Sequence, residues 1–207
     1  MSDASRRILI AGLGNIFLGD DAFGVEVARR LTERPPPDNV RVVDFGIRGV
    51  DLTYELLDGY DLVILVDAVC RGGPPGTIYV IEPQVPAPAP AEQISMAMLD
   101  PHDLDPAKVL RLVSSMGGQV GRLVLVGCEP TPMDEAAEMT DGLSEPVRQA
   151  VGLAIELIEK MVADEAAGRG PGKGVRNLFR STQQAYSVRE PCEPKTLTES
   201  GTAGEGS

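Results

Sequence analysis

The sequence predicts an α/β protein: three layers, with a mostly parallel twisted sheet of about five strands and helices on both faces. Three observations carry this expectation. Short apolar runs alternate with stretches of helical periodicity along the first 160 or so residues. One run, Asp61-Leu62-Val63-Ile64-Leu65-Val66-Asp67, is apolar almost throughout, as a central parallel strand covered on both faces must be. Turn-forming glycines and prolines punctuate the joins between runs.

The elements follow in order. Arg7 to Ala11 reads as a buried strand, and Gly12-Leu13-Gly14-Asn15 as the turn that ends it. Asp20 and Asp21 precede an apolar pattern at Phe23, Val27, Ala28 and Leu31, which has helical spacing and is stopped by Pro35-Pro36-Pro37. Val40 to Asp44 is a second strand, and Val50 to Leu57 a short helix closed by Asp58-Gly59. After the central strand, Thr77 to Ile81 forms a fourth, and the Pro/Ala-rich stretch Pro83 to Pro90 an extended loop. Asp105-Pro106 opens a helix that runs to about Ser115, with proline at the first helical position. Leu123 to Val126 is the fifth strand. A last helix begins near Ser144, with Val147, Val151, Ala154, Ile155, Ile158 and Val162 on one face.

This pattern spans residues 1–167, which we read as one domain. From Gly168 to Ser207 periodicity disappears, and Gly, Pro, Ser, Thr and charges dominate, so the segment is expected to be a mostly disordered tail whose removal leaves stability almost unchanged. Hydrophobic residues make up 43 %, enough for a core, but with no Trp, four Phe and four Tyr that core must be aliphatic. The net charge of −12 disfavours nucleic acid as a partner. No apolar run is long enough to span a membrane, and no signal-peptide pattern follows Met1. The cysteines Cys70, Cys128 and Cys192 are widely spaced, with no C-x-x-C pair, and a reducing cytoplasm is the expected compartment.

In open parallel sheets ligands bind beyond the C-terminal strand ends, and three groups of residues meet that condition. Asp20 and Asp21 follow the first strand; helix capping accounts for one of them better than for both. Asp67 ends the most apolar strand and needs a hydrogen-bond donor or a metal, an Asx turn being the simpler alternative. His102 is the chain's single histidine, which excludes any site needing two; taken alone it reads as an exposed residue near a helix start. Together Asp21, Asp67 and His102 offer an O, O, N set suited to a borderline divalent cation such as nickel or zinc, with positions left open. Two other chemistries compete. Gly12-x-Gly14 after a strand, with Asp44 ending the next, resembles a dinucleotide fingerprint, but Phe17 stands at the third glycine and two aspartates lie where a pyrophosphate would sit. Cys70 or Cys128 with His102 would make a nucleophile–base pair, although buried, inert cysteine is the commoner case.

Gly12-Leu13-Gly14-Asn15-Ile16-Phe17-Leu18-Gly19-Asp20-Asp21-Ala22-Phe23-Gly24-Val25 resembles the N-terminal signature of the hydrogenase maturation proteases. Asp67-Ala68 resembles their second acidic motif, Pro101-His102 their histidine segment, and Gly127-Cys128-Glu129-Pro130 and Gly142-Leu143-Ser144 their later landmarks. The likeness runs from about Ile8 to Val162. Ala22 departs from the usual glycine, and Ile47-Arg48 from a frequent Gly-Thr.

The resemblance implies an endopeptidase that removes the C-terminal extension of a nickel–iron hydrogenase large-subunit precursor after nickel insertion. It implies that Asp21, Asp67 and His102 are both the metal-contacting and the catalytic residues. Nickel would be presented by the precursor and held weakly by the protein alone, with no obligate small-molecule cofactor. Neutral imidazole is the ligating form, so processing should fade below about pH 6.5. A non-enzymatic metal-binding or chaperone module for hydrogenase assembly, and a cysteine-dependent hydrolase for which Cys70 and Cys128 would matter, are the alternative functions.

Overall fold

The computed structural model describes residues 6–82, 106–132 and 142–168. Pro83 to Pro90, His102 and the segment from Arg169 to Ser207 lie outside the described residues.

Five strands form one sheet in the order β2-β1-β3-β5-β4. They are β1 (Ile8–Leu13), β2 (Val40–Gly46), β3 (Tyr60–Ala68), β4 (Ile78–Ile81) and β5 (Val120–Cys128). β1 runs parallel to β2 and to β3, with Ile8 opposite both Val40 and Leu62. β3 runs parallel to β5, and Asp67 lies opposite Gly127. β4 is the exception: it pairs antiparallel with β5 at the edge. Only nine residues join β3 to β4, with no helix among them. That is short for the helical crossover a parallel return requires, and β4 runs back the other way.

Successive residues of β1 alternate between two cores. Ile8 and Ile10 pack with Phe23 and Val27 of α1 (Phe23–Leu31) and with Val147, Val151 and Ile158 of α4 (Glu145–Ala166). Leu9, Ala11 and Leu13 pack with Leu52 and Leu56 of α2 (Gly49–Leu57) and with Val109, Leu110 and Val113 of α3 (Pro106–Ser115). The expected three layers follow: α1 and α4 on one face, α2 and α3 on the other. On α4 the buried stripe is wider than the expected face, since Ala150 and Met161 also turn inward.

Strand ends run past the apolar runs that predict them. β5 extends from Val120 to Cys128, where only Leu123 to Val126 is continuously apolar. Ladder hydrogen bonds to neighbouring strands extend a strand through residues whose own preference is weak. The parallel strands β1, β2, β3 and β5 all end on one side of the sheet, which gathers the loops after them into a single rim.

Candidate active site

The loop after β1 carries the acidic pair. Gly19–Ala22 is a 3-10 helix that leads directly into α1. Two glycines let it sit tight against the sheet. Gly14 has φ of 125°, and a Cβ there would meet the carbonyl oxygen of Asp21 at 1.8 Å. At Gly24 a Cβ would meet the carbonyl oxygen of Val66 at 2.0 Å. Both contacts are with backbone, which cannot yield as a flexible side chain would. The start of α1 is therefore seated on β3 one residue before Asp67, and Asp21 is carried to the same sheet edge. The glycines accommodate the chain's own loop, which leaves the dinucleotide reading without its main support.

The two aspartates do different things. The N-cap position of α1 is Ala22, with no side-chain cap bond, so capping of α1 accounts for neither. Asp20 is buried and reaches across to a different helix. It accepts hydrogen bonds from Ser144 N–H at 2.7 Å, Ser144 Oγ at 2.8 Å and Thr131 N–H at 2.8 Å. Ser144 stands at the N-cap of α4, yet its hydroxyl serves Asp20 rather than its own helix. A carboxylate at that position is also favoured by the helix dipole. Asp21 is half-buried and accepts the N–H of Asn15 at 2.7 Å. Asp67, at the end of β3, is completely buried and accepts the N–H of Ala68 at 2.9 Å.

The structure thus carries Asp21, on the 3-10 helix after β1, to the sheet edge where Asp67 closes β3, and gives Asp20 a structural clamp. His102 lies outside the described residues, and its placement relative to the two carboxylates is not described.

The model of the hydrogenase maturation protease family matches residues 25–161. The chain belongs to this family. It is 31 % identical over 198 residues to the hydrogenase expression/formation protein HupM of Azotobacter chroococcum, an alignment covering 93 % of this chain and 90 % of that one. It is 32 % identical to the hydrogenase 2 maturation protease of Escherichia coli, over 73 % of this chain and 88 % of the other. Among solved structures, the E. coli hydrogenase maturating endopeptidase HybD superposes with a TM-score of 0.57 at 26 % identity, covering 78 % of this chain and 94 % of that one. The protein is accordingly a hydrolase: an endopeptidase of hydrogenase maturation that processes the C-terminus of a hydrogenase large subunit, and its family handles a nickel-containing substrate.

In this maturation protease a fourth carboxylate organises the rim, one that the sequence marks only as part of a landmark. Glu129, just after β5, is buried and accepts Arg71 N–H at 2.8 Å, Gly72 N–H at 2.9 Å and the Tyr79 hydroxyl at 2.6 Å. Burial, and then the hydrogen bond to Glu129, push the Tyr79 hydroxyl above its usual range, in keeping with its role as a donor to that carboxylate. Glu129 therefore fixes the loop between β3 and β4 beside the end of β3. Its place in Gly-Cys-Glu-Pro after an apolar strand is the one signal that could have found it. Asp20 and Glu129 are satisfied here by N–H and O–H donors, none of them from a charged side chain.

Cys128 belongs to the core. It is fully buried, and its thiol is pushed up to about 12 by burial first and then by the nearby charges of Asp20 and Glu129. At neutral pH it is a thiol and not a thiolate, so it supplies no nucleophile.

Proposed function

We propose that Asp21 and Asp67, together with His102, complete the coordination of a nickel ion already held by cysteines of the large-subunit precursor. The observation that carries this reading is the seating of Gly24 on Val66, which brings the acidic loop to the end of β3 where Asp67 is buried. His102 enters by the resemblance of its Pro101-His102 segment to the family's histidine motif. Two carboxylates and one imidazole leave positions open for ligands from the precursor.

In this reading the metal belongs to the substrate. It marks a precursor whose nickel has been inserted, and it polarises the scissile carbonyl. The protein supplies the rigid acidic edge, and one carboxylate orients the attacking water. The protein alone holds divalent cations weakly, because an O, O, N set does not select nickel by ligand type. Acting on a nickel-loaded precursor places it in the cytoplasm, and among the described residues no helix is long and apolar enough to cross a membrane. Residues 1–167 form the working domain, with residues 168–207 as an appended tail.

The test is incubation of the purified protein with nickel-loaded and nickel-free precursor, followed by mass spectrometry. Loss of the C-terminal extension from the loaded form alone is the expected result. Equal cleavage of both forms overturns the metal-recognition reading. Asp67→Asn should bind loaded precursor without shortening it. If the unmodified protein binds precursor and never shortens it, the chaperone reading replaces this one.

A further inference from the structure

Eight large hydrophobic side chains stand exposed among the described residues, and they are not scattered evenly. Six of them, Ile16, Phe17, Leu18, Ile47, Val50 and Tyr54, lie on the loops leaving β1 and β2 and on the first turns of α2. Single exposed apolar residues need no explanation, but six on two adjoining segments do. The segments do adjoin: Gly14 N–H donates to the Gly46 carbonyl at 3.1 Å, two residues before Ile16 and one before Ile47. The aromatic residues make the distribution sharper. In a chain with no Trp, four Phe and four Tyr, Phe17 is 65 % exposed and Tyr54 61 %.

The Ile16-Phe17-Leu18 tip is held in place. Phe17 N–H donates to Asn15 Oδ1 at 3.0 Å, and Leu18 N–H to the Asn15 carbonyl at 3.1 Å. Asn15 N–H itself donates to Asp21. One turn thus roots the apolar tip on a carboxylate of the candidate site. An apolar surface already fixed in its presented form loses little freedom when a partner covers it.

We infer that this apolar rim is the docking surface for the hydrogenase large-subunit precursor, and that it grips an apolar face of the precursor next to the extension to be removed. The inference rests on the proposed site at Asp21 and Asp67. The choice of occupant follows from continuity. A processing endopeptidase must seat a protein substrate at its catalytic edge, and the rim begins at the turn that binds Asp21. A second copy of this chain on the same rim would cover the edge the substrate must reach. Phe17 and Tyr54 are the aromatic anchors, the residue class that dominates binding energy in protein interfaces.

The experiment is steady-state processing of nickel-loaded precursor by the full chain and by the double variant Phe17→Ser/Tyr54→Ser. The expected result is a KM raised at least tenfold, with kcat at saturating precursor within twofold and the melting temperature unchanged, because both side chains are already exposed. An unchanged KM in the folded double variant overturns the inference. Sedimentation of the unmodified protein covers the rival occupant: a dimer that the double variant abolishes, with normal KM, assigns the rim to self-association. Asp67→Asn separates the two levels. If Asp67→Asn still cuts, the site reading fails whatever the rim does. If it does not cut and the double variant keeps its KM, the rim inference alone fails.

Discussion

At the end of the sheet where β1, β3 and β5 begin, charge meets charge. Glu165, buried near the end of α4, pairs with Arg6 and Arg122, and Arg122 pairs also with Glu82. Arg7 stacks its guanidinium 4.7 Å from the centre of the Tyr60 ring and donates to the carbonyl of Asp58. At the opposite end, where the same strands finish, Asp20 and Glu129 are held by backbone N–H groups and hydroxyls, and large apolar side chains face outward. The first end neutralises its charge and fastens the termini of the fold. The second holds its carboxylates with uncharged donors and leaves hydrophobic surface uncovered, an arrangement that leaves groups available for a partner. Changes at the first end should therefore lower stability and leave processing intact, whereas changes at the second should lower both.

The largest effect is expected at Gly24→Ala. The new Cβ would meet backbone at 2.0 Å, so α1 must lift from β3. We expect a loss of about 3 kcal/mol or more, and loss of processing even below the melting transition, read by thermal melts alongside the mass assay. Normal processing in this variant would break the link between that seat and the site. Asp20→Ala comes next. It strands the N–H groups of Thr131 and Ser144 at the rim, for about 2–4 kcal/mol by chemical denaturation, and processing should fall with it.

Glu165→Gln, at the other end, weakens two ion pairs. The expected outcome is a melting temperature lower by about 2–6 °C with kcat/KM unchanged at 25 °C. A matching fall in kcat/KM would show that the two ends are coupled. The smallest effect concerns Glu26, whose carboxyl is held at about 2, chiefly by its hydrogen bond to Arg29, against an ordinary 4.5. A depressed folded pKa means that the contribution is complete above the unfolded value and is lost as pH falls. Glu26→Gln should therefore lower the melting temperature at pH 7 by about 1–2 °C, with the difference from the unmodified protein shrinking between pH 4.5 and 2. A difference that persists at pH 2 would assign the effect to packing.

Much of the fold was legible because burial leaves a regular trace. β3 is buried on both faces and reads as one apolar run, and α1 spaces Phe23 and Val27 four apart toward one core. The direction of β4 left no such trace, since a half-buried four-residue strand looks the same either way round. Asp21 is a candidate in the sequence because it follows β1, and Asp67 because it closes the apolar run of β3. What could not be read was the division of labour between Asp20 and its neighbour. Nothing local distinguishes them: the partners that claim Asp20 stand 111 and 124 positions further along the chain. Glu129 escaped for a similar reason, because the amides it binds belong to the loop before β4. His102 lies outside the described residues, so its part in the site rests on the proposed reading.

The clamp on Asp20 also sets an order of events during synthesis. Its donors come from Thr131 and Ser144, so the acidic loop leaves the ribosome well before the residues that fasten it. Contacts of such sequence separation close late in folding, after local helices and neighbouring strands have formed. A nascent chain stopped before Ser144 can carry every residue of the Gly12–Val25 signature and still hold Asp21 on an unfastened loop. On this account the acidic loop is fastened only once synthesis has passed Ser144, and a shorter translation product carries the acidic motif without its restraint.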